Sequence, residues 1–266
     1  MRAAHILRLA LLPAFLASGA SAQLVELAPV ADTDVNTSLD ARRNDNYGCD
    51  PILNVAGSRG GGGIPYGGAD GIRILLQFDL STVSAPIGLA ELELHLSDFR
   101  NDTSAQDFAI DVHRVTEAWE EGDGNESPPH PGGCQGVDPA SGVAWVGAGD
   151  GGDANNQTQP AFDPAIESTL SFNSLDATGP GTAYVWDVTT LVNGWITNQY
   201  PNHGMMLRDV TTDGSYKDVG FASRELDFNV YPGLLWRTAA GPLLRVYSTV
   251  SVESMSWGRV KATYRQ

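Results

Sequence analysis

Histidines and carboxylates are the residues of this chain best suited to acid–base chemistry, but their spacing forms no catalytic motif. The sequence contains no Gly-x-Ser-x-Gly, His-Glu-x-x-His or Gly-Lys-Ser/Thr stretch. Glu91 and Glu93 share one face of a predicted strand and suit the acid and base of glycoside hydrolysis, although such a pair is more often a plain polar face. The histidines after residue 22 lie in unrelated contexts: His95, His113, His130 and His203. The sequence therefore predicts a protein that is not an enzyme.

Closely spaced aspartates suggest a structural calcium site. Asp32, Asp34 and Asp40 lie near the first predicted strand, and Asp150 and Asp153 form a second group. Carboxylate and main-chain carbonyl oxygens are the ligands that calcium prefers. Neither group matches an EF-hand loop or a nonapeptide calcium repeat, so the alternative, that these are solvated turn residues, stays open.

Alternation of apolar and polar residues predicts the strands that would position these side chains. The clearest example is 72–80, where every second residue is apolar and most of the others are polar. Several strands with one polar face each indicate an all-β sandwich. The predicted strands cover residues 24–30 continued by 32–37, then 51–55, 72–80, 90–96, 108–115, 143–146, 169–172, 184–186, 205–208, 219–224 and 243–247.

One short helix is predicted between two strands. Asp187 stands where an N-cap residue should, and Pro201 forbids continuation of the helix. Gly194 costs this helix about 1 kcal/mol relative to alanine. The apolar residues recur at helical spacing on one face: Val188, Leu191, Val192, Trp195 and Ile196. We expect a structural helix that covers one end of the sheets and carries no site.

Residues 1–22 have the pattern of a secretory signal peptide, with two arginines, an apolar run and small residues before Gln23. The run is too short to span a bilayer, and no later stretch approaches roughly 18 uninterrupted apolar residues. Two of the 16 Lys and Arg lie in this segment, so the rest of the chain has 14 against 32 Asp and Glu, a net charge of −18. We expect an extracellular protein without a membrane span, too acidic to bind nucleic acid unaided.

The two cysteines, Cys49 and Cys134, are expected to form a disulfide, because exported proteins favour disulfides and no third cysteine competes. The bond would stabilise the fold by about 4 to 5 kcal/mol on the chain-entropy model. It would also order the long stretch 119–164, which is rich in Gly, Asp, Asn and Pro. Metal binding by two cysteines without a histidine pair is the weaker alternative.

Eight short motifs resemble, in the same order, the DNRLRE domain, a family also grouped with carbohydrate-binding module family 96. They are ADTDV (31–35), NYG (46–48), LQFDLS (76–81), VHRVTEAW (112–119), the helix segment 186–195, HGMMLR (203–208), FASRE (221–225) and PLLRV (242–246). The resemblance covers about residues 24–248, so one domain is expected over 23–248. It implies a jelly-roll type β-sandwich of about ten strands with one short helix, non-catalytic and exported.

Members of that family linked to ligands resemble binders of acidic polysaccharides, but this chain carries carboxylates at outward positions: Glu91, Glu93 and Asp111. Repulsion between carboxylates would oppose a uronic acid, so a neutral glycan is the better expectation. Sugar rings stack on aromatic faces, and their hydroxyls bond to polar side chains. The candidate carbohydrate-binding residues are Arg73, Gln77, His95 and His113, with Trp145 and Tyr66 from loops. The alternative is that these are ordinary surface residues.

The tail 249–266 lies beyond the resemblance and is basic, with Arg259, Lys261 and Arg265. It suggests a sorting or surface-attachment role, with a small packing helix or a frayed end as the alternative. Two functions therefore compete. In the first the protein is a secreted carbohydrate-binding module acting on an extracellular or cell-wall polysaccharide. In the second it is a structural cell-surface protein that self-associates or binds other envelope components, for example by strand addition.

Overall fold

The computed structural model describes residues 23–37, 45–56, 71–100, 106–124, 133–135, 140, 145–146, 160–177, 179–211, 218–226 and 240–248. These residues form an all-β fold with one helix, a jelly-roll type β-sandwich, which confirms the predicted fold class. The elements are β1 Gln23–Leu27, β2 Ala31–Asn36, β3 Ile52–Ala56, β4 Ile72–Gln77, β5 Ile87–Arg100, β6 Asp107–Arg114, β7 Ser168–Asn173, β8 Ala183–Asp187, α1 Thr189–Ile196, β9 Met205–Asp209, β10 Asp218–Ala222 and β11 Leu243–Ser248.

All strand pairs are antiparallel and build two layers joined by one long strand. The front sheet has the order β1-β11-β5-β8. The back sheet runs from β10 through β3, β4, β9 and β6 to β7, and β2 pairs with β4. β5 belongs to both layers, because residues 87–95 pair with β11 and β8, whereas 96–100 pair with β10. β5 therefore carries the chain from one layer into the other.

The main hydrophobic core lies between the two sheets. Leu92 and Leu94 of β5 face it from the front sheet, and Ile110 and Val112 of β6 face it from the back sheet; all four are fully buried. Aromatic rings cross the core, since Trp186 of β8 meets Phe221 of β10 edge to face with centroids 6.2 Å apart. The apolar faces that β5 and β6 show in the sequence are thus faces that this core buries.

A second hydrophobic cluster lies on the other side of the back sheet. Val35, Leu75 and Met206 point to this side from β2, β4 and β9. Residues from the described parts of 115–162, here called the covering segment, pack onto them: Val115, Trp119, Cys134, Trp145, Ala161 and Phe162. The predicted stretch 143–146 is described only at residues 145–146, which are not in a strand. The described parts of the long polar stretch therefore cover the outer face of the back sheet at β2, β4 and β9.

Helix α1 has the predicted apolar face, with Leu191, Val192 and Trp195 buried in the main core. The predicted N-cap was wrong by one residue: Val188 is the N-cap, without a side-chain capping bond, because Asp187 still belongs to β8. Asp187 nevertheless accepts a bond from the Thr189 amide at 3.0 Å. Hence the carboxylate satisfies a first-turn amide from outside the helix.

The disulfide prediction was wrong, since Cys49 and Cys134 are not bonded. Cys134 is fully buried in the second cluster, whereas Cys49 is only partly buried and is not part of it. The loops that carry the two cysteines do meet, but through the side-chain amide of Asn46, which donates to the Cys134 carbonyl oxygen at 2.8 Å and to the Glu121 carbonyl oxygen at 2.6 Å.

Several predictions fall outside the described residues: the signal segment 1–22, the tail 249–266, and the side chains of Tyr66, Asp40, Asp150 and Asp153. Among the residues that are described, no helix is long and apolar enough to cross a membrane.

Candidate functional site

Three of the predicted sugar-binding side chains are buried, and one of them, Trp145, belongs to the covering segment itself. Arg73 is 2% exposed, His113 3% and Trp145 7%, so the expectation that they face a ligand was wrong. Strand alternation had correctly pointed Arg73 and His113 away from the main core. The described part of the stretch 115–162, which was predicted as a loop, packs onto this side of the back sheet.

Each of these buried side chains bonds to a main-chain oxygen, although the second ring nitrogen of His113, Nε2, is buried without a hydrogen-bond partner. The Trp145 indole donates to the Gln135 carbonyl oxygen at 3.1 Å. The His113 ring nitrogen Nδ1 lies 3.1 Å from the carbonyl oxygens of Asp163 and of Ala165, so it must be the protonated nitrogen. Burial lowers the pKa of His113 below its ordinary value of 6.5, against the opposing effect of these carbonyls. Within the covering segment, Trp145 bonds to Gln135, and His113 of β6 packs edge-on against Phe162, with ring centroids 4.9 Å apart.

Gln77 is also engaged within the protein, since its amide donates to the Asn202 carbonyl oxygen at 3.1 Å. It lies half-buried at the end of β4. His95 is the one described candidate on the front sheet, where its Nε2 lies 3.1 Å from Glu93 Oε1. The structure therefore does not bring the predicted carbohydrate-binding residues together.

The outer face of the front sheet carries a line of ionic contacts across three strands, here called the polar track: Glu26 of β1, Arg245 of β11, and Glu93 and His95 of β5. Arg245 Nε lies 3.0 Å from Glu26 Oε1, and its two terminal nitrogens hold both Glu93 oxygens. Glu93 in turn contacts His95. Although Glu93 is only 8% exposed, it lies on the outer face as predicted, covered by its own partners.

Apolar and aromatic side chains flank the polar track. Tyr247 follows Arg245 by two residues on β11 and lies on the same face, because Leu244 and Val246 point into the main core. Leu24 is paired with Tyr247 across the strands and is 46% exposed. On the other side, Val185 of β8 is 38% exposed. Among the described residues, this is the sheet face that combines an accessible aromatic ring with polar groups on neighbouring strands.

A second arrangement of charged groups lies where the covering segment meets the end of β10. The carboxylates of Asp32, Glu121 and Glu225 bring ligand oxygens within 4.8 Å of one another, here called the carboxylate triad. Arg224 lies among them: its Nε is 3.2 Å from Asp32 Oδ1 and 2.5 Å from Glu225 Oε1, and its Nη2 contacts Glu121. One guanidinium thus serves three carboxylates.

Burial shapes the acidity of this triad. It raises the pKa of Asp32 to about 8, although the Arg224 amide, which donates to Asp32 Oδ2 at 2.9 Å, lowers it. Burial also raises the pKa of Glu121, against the bond that its Oε1 accepts from the Asp32 amide at 2.7 Å. The triad therefore favours a bound proton or a nearby positive charge.

The predicted calcium ligands are separated in the structure. Asp34 does not belong to the triad: its Oδ2 accepts bonds from the Asn54 main-chain amide at 2.9 Å and from the Asn54 side-chain amide at 2.8 Å. Asp32 and Asp34 instead each fix a neighbouring segment, after β10 and at β3 respectively. Asp32 and Asp34, two alternate residues of β2, were predicted to bind one calcium ion together, but their carboxylates contact different partners.

Comparison with known proteins gives no match, either to a protein-family model or to a curated protein. The functional assignment consequently depends on the chemistry of the chain itself. Sequence reasoning missed Arg245, Tyr247, Glu121 and Glu225 as site residues. Alternation in β11 was enough to place Arg245 and Tyr247 on one outer face. No pattern in the sequence indicates that Glu121 lies close to Glu225, because this contact depends on how the covering segment packs.

Proposed function

We propose that the protein is a secreted, non-catalytic carbohydrate-binding module that binds a polysaccharide on the outer face of the front sheet. The observation that carries this proposal is the position of the partly exposed Tyr247 beside the polar track on the outer face of the front sheet. A tyrosine ring offers a stacking surface for a sugar ring, and charged side chains bond to sugar hydroxyls. The resemblance to the DNRLRE domain supports the same class of function.

The charge of this face favours a neutral glycan over an acidic one. Glu26, Glu91, Glu93 and Asp187 lie on it with Arg245 as the facing cation. Both carboxylates of the track already bind that guanidinium. Among the residues that the structure describes, no further cation lies on this face to pair with a uronic acid, whereas neutral hydroxyls can donate to the carboxylates.

A second candidate, a surface protein that assembles by strand addition, is favoured by the position of β1. This strand is at one end of the described strand order and pairs with β11 on one side. It is short and bears the charged Glu26, which are features that limit edge-to-edge pairing. We therefore rank self-association below glycan binding.

The test is a pull-down of residues 23–266 with insoluble neutral and acidic polysaccharides, accompanied by size-exclusion chromatography of the same sample. We expect saturable binding of a monomer to a neutral polysaccharide. Retention on acidic polysaccharides alone would contradict the proposed ligand class. Assembly that grows with protein concentration, without binding to any polysaccharide, would replace the proposal by the second candidate.

A further inference from the structure

We infer that the carboxylate triad, Asp32 with Glu121 and Glu225, is a binding site for a divalent cation of the calcium type. The site joins three segments that are distant in sequence: β2, the covering segment and the turn after β10. It does not depend on the glycan-binding proposal, because its residues lie outside the polar track.

The first argument is the state of the Asp32 carboxylate. Its side chain has no exposed surface, and its Oδ1 atom is buried without a hydrogen-bond partner. The contact of Oδ1 with Arg224 Nε, at 3.2 Å, is an ion pair outside hydrogen-bond geometry. A buried carboxylate oxygen without a donor is costly, so this atom has coordination capacity to offer a ligand.

A second oxygen of the triad is in the same condition. Glu225 Oε2 is also buried without a hydrogen-bond partner, while its Oε1 contacts Arg224. Oxygen atoms from two segments of the chain thus lack donors at one place. Because all three side chains are carboxylates and no nitrogen or sulfur ligand belongs to the triad, the donor set suits a hard cation, and calcium tolerates irregular oxygen geometry better than magnesium does.

Charge provides the next argument. When ionised, the three carboxylates carry three negative charges, and Arg224 supplies one positive charge. The guanidinium also donates through Nη1 to the Val30 carbonyl oxygen at 2.5 Å, so a fourth oxygen lines the same place. A divalent ion there would balance the carboxylates more completely than the guanidinium does.

Arg224 is placed so that it can make way for the ion. About a third of its side chain is exposed, at 32%, so the guanidinium can turn into solvent while its main-chain amide keeps the bond to Asp32 Oδ2. The arginine then acts as a built-in counter-ion that competes with the cation. With the cation bound, the covering segment would be fixed to β2 and to the end of β10 through metal–oxygen bonds.

The experiment is calorimetric titration of the 23–266 chain with calcium chloride after chelation, with thermal melts in calcium, magnesium and EDTA. We expect calcium to bind and to raise the melting temperature, with a smaller effect of magnesium. Glu225→Gln should weaken calcium binding at least about tenfold, because the site loses one of its charged ligands. Glu91→Gln, a carboxylate on the front sheet, should leave calcium affinity unchanged.

The variant Arg224→Gln tests the site even if the guanidinium of Arg224 prevents the parent chain from binding calcium. Without the guanidinium, the variant should be less stable in EDTA and should bind calcium at least about tenfold more tightly than the parent chain. If neither the parent nor Arg224→Gln responds to calcium, the inference is overturned. It is equally overturned if Glu225→Gln retains the affinity of the parent, since the ion would then bind elsewhere.

Discussion

Trp186 of β8 donates a hydrogen bond from its indole Nε1 to the main-chain oxygen of Ile110 on β6, 3.1 Å away. Both residues are buried in the main core, and the bond joins the front sheet to the back sheet. A buried indole needs an acceptor, and a strand carbonyl that points inward supplies it.

Trp186→Phe should destabilise the protein by about 2 to 4 kcal/mol, because it removes this bond and opens space in the core. Urea unfolding followed by circular dichroism measures the change. Trp119→Phe is a useful comparison, since its indole donates to the His203 oxygen in the second cluster rather than between the two sheets. A loss below about 0.5 kcal/mol for Trp186→Phe would contradict the bridging role.

Gly194→Ala should destabilise the protein by about 1 kcal/mol or more, although helix propensity alone predicts a gain of similar size. A Cβ atom at this position would lie 2.0 Å from the Tyr200 hydroxyl oxygen. The ring would have to leave both Arg114, which lies 4.3 Å above its centroid, and the Leu191 carbonyl oxygen. Combining the change with Tyr200→Ala should remove the penalty. If Gly194→Ala alone is more stable than the parent, the Tyr200 ring does not lie close to Gly194.

The buried His113 should make the protein less stable in mild acid. Because burial lowers its pKa in the folded state, the unfolded chain binds the proton first, so the contribution to stability is complete above about pH 6.5 and falls as the pH drops below that value. His113→Gln, which can still donate to the Asp163 carbonyl oxygen, should lose less stability than the parent between pH 7 and pH 5. His203→Gln serves as the control. If the free energy of unfolding falls equally with pH in the parent and in His113→Gln, His113 is not the source of the loss of stability in acid.

Trp145 should protect Cys134 from solvent, because both lie in the second cluster and Cys134 is fully buried. In a Cys49→Ser background, where Cys134 is the remaining thiol, Trp145→Ala should speed labelling by a maleimide at least about tenfold. The neighbouring Val146→Ala is the control, because Val146 is 88% exposed. Rapid labelling of the parent would show that the covering segment does not protect this face.

Strand positions could be predicted because local alternation and core burial agree along most of the chain. Residues 72–80 show this agreement: Ile74, Leu76 and Phe78 are buried in the main core, and Leu80 packs against it. Alternation also placed Arg73 and His113 correctly on the opposite side of their strands. It could not predict the burial of His113, because this side chain packs against Phe162, and the Gly- and Asp-rich sequence before Phe162 has no periodicity.

The candidate sites were less predictable because they depend on pairs of strands rather than on single strands. Glu26 meets Arg245 only because β1 pairs with β11, at the two ends of the described chain. Likewise, Cys134 could be expected near Cys49 from chemistry alone. In the structure, Asn46 joins the two loops, and the side chain of Cys134 is buried in the second hydrophobic cluster.

The most direct test of the proposed function compares the affinity of the parent protein and of Tyr247→Ala for the polysaccharide retained in the pull-down. Loss of one stacking ring should weaken binding by about threefold to tenfold. Ile166→Ala, an exposed apolar residue next to β7 of the back sheet, should bind as the parent does. Equal affinity of Tyr247→Ala and the parent would contradict the placement of the glycan on the outer face of the front sheet.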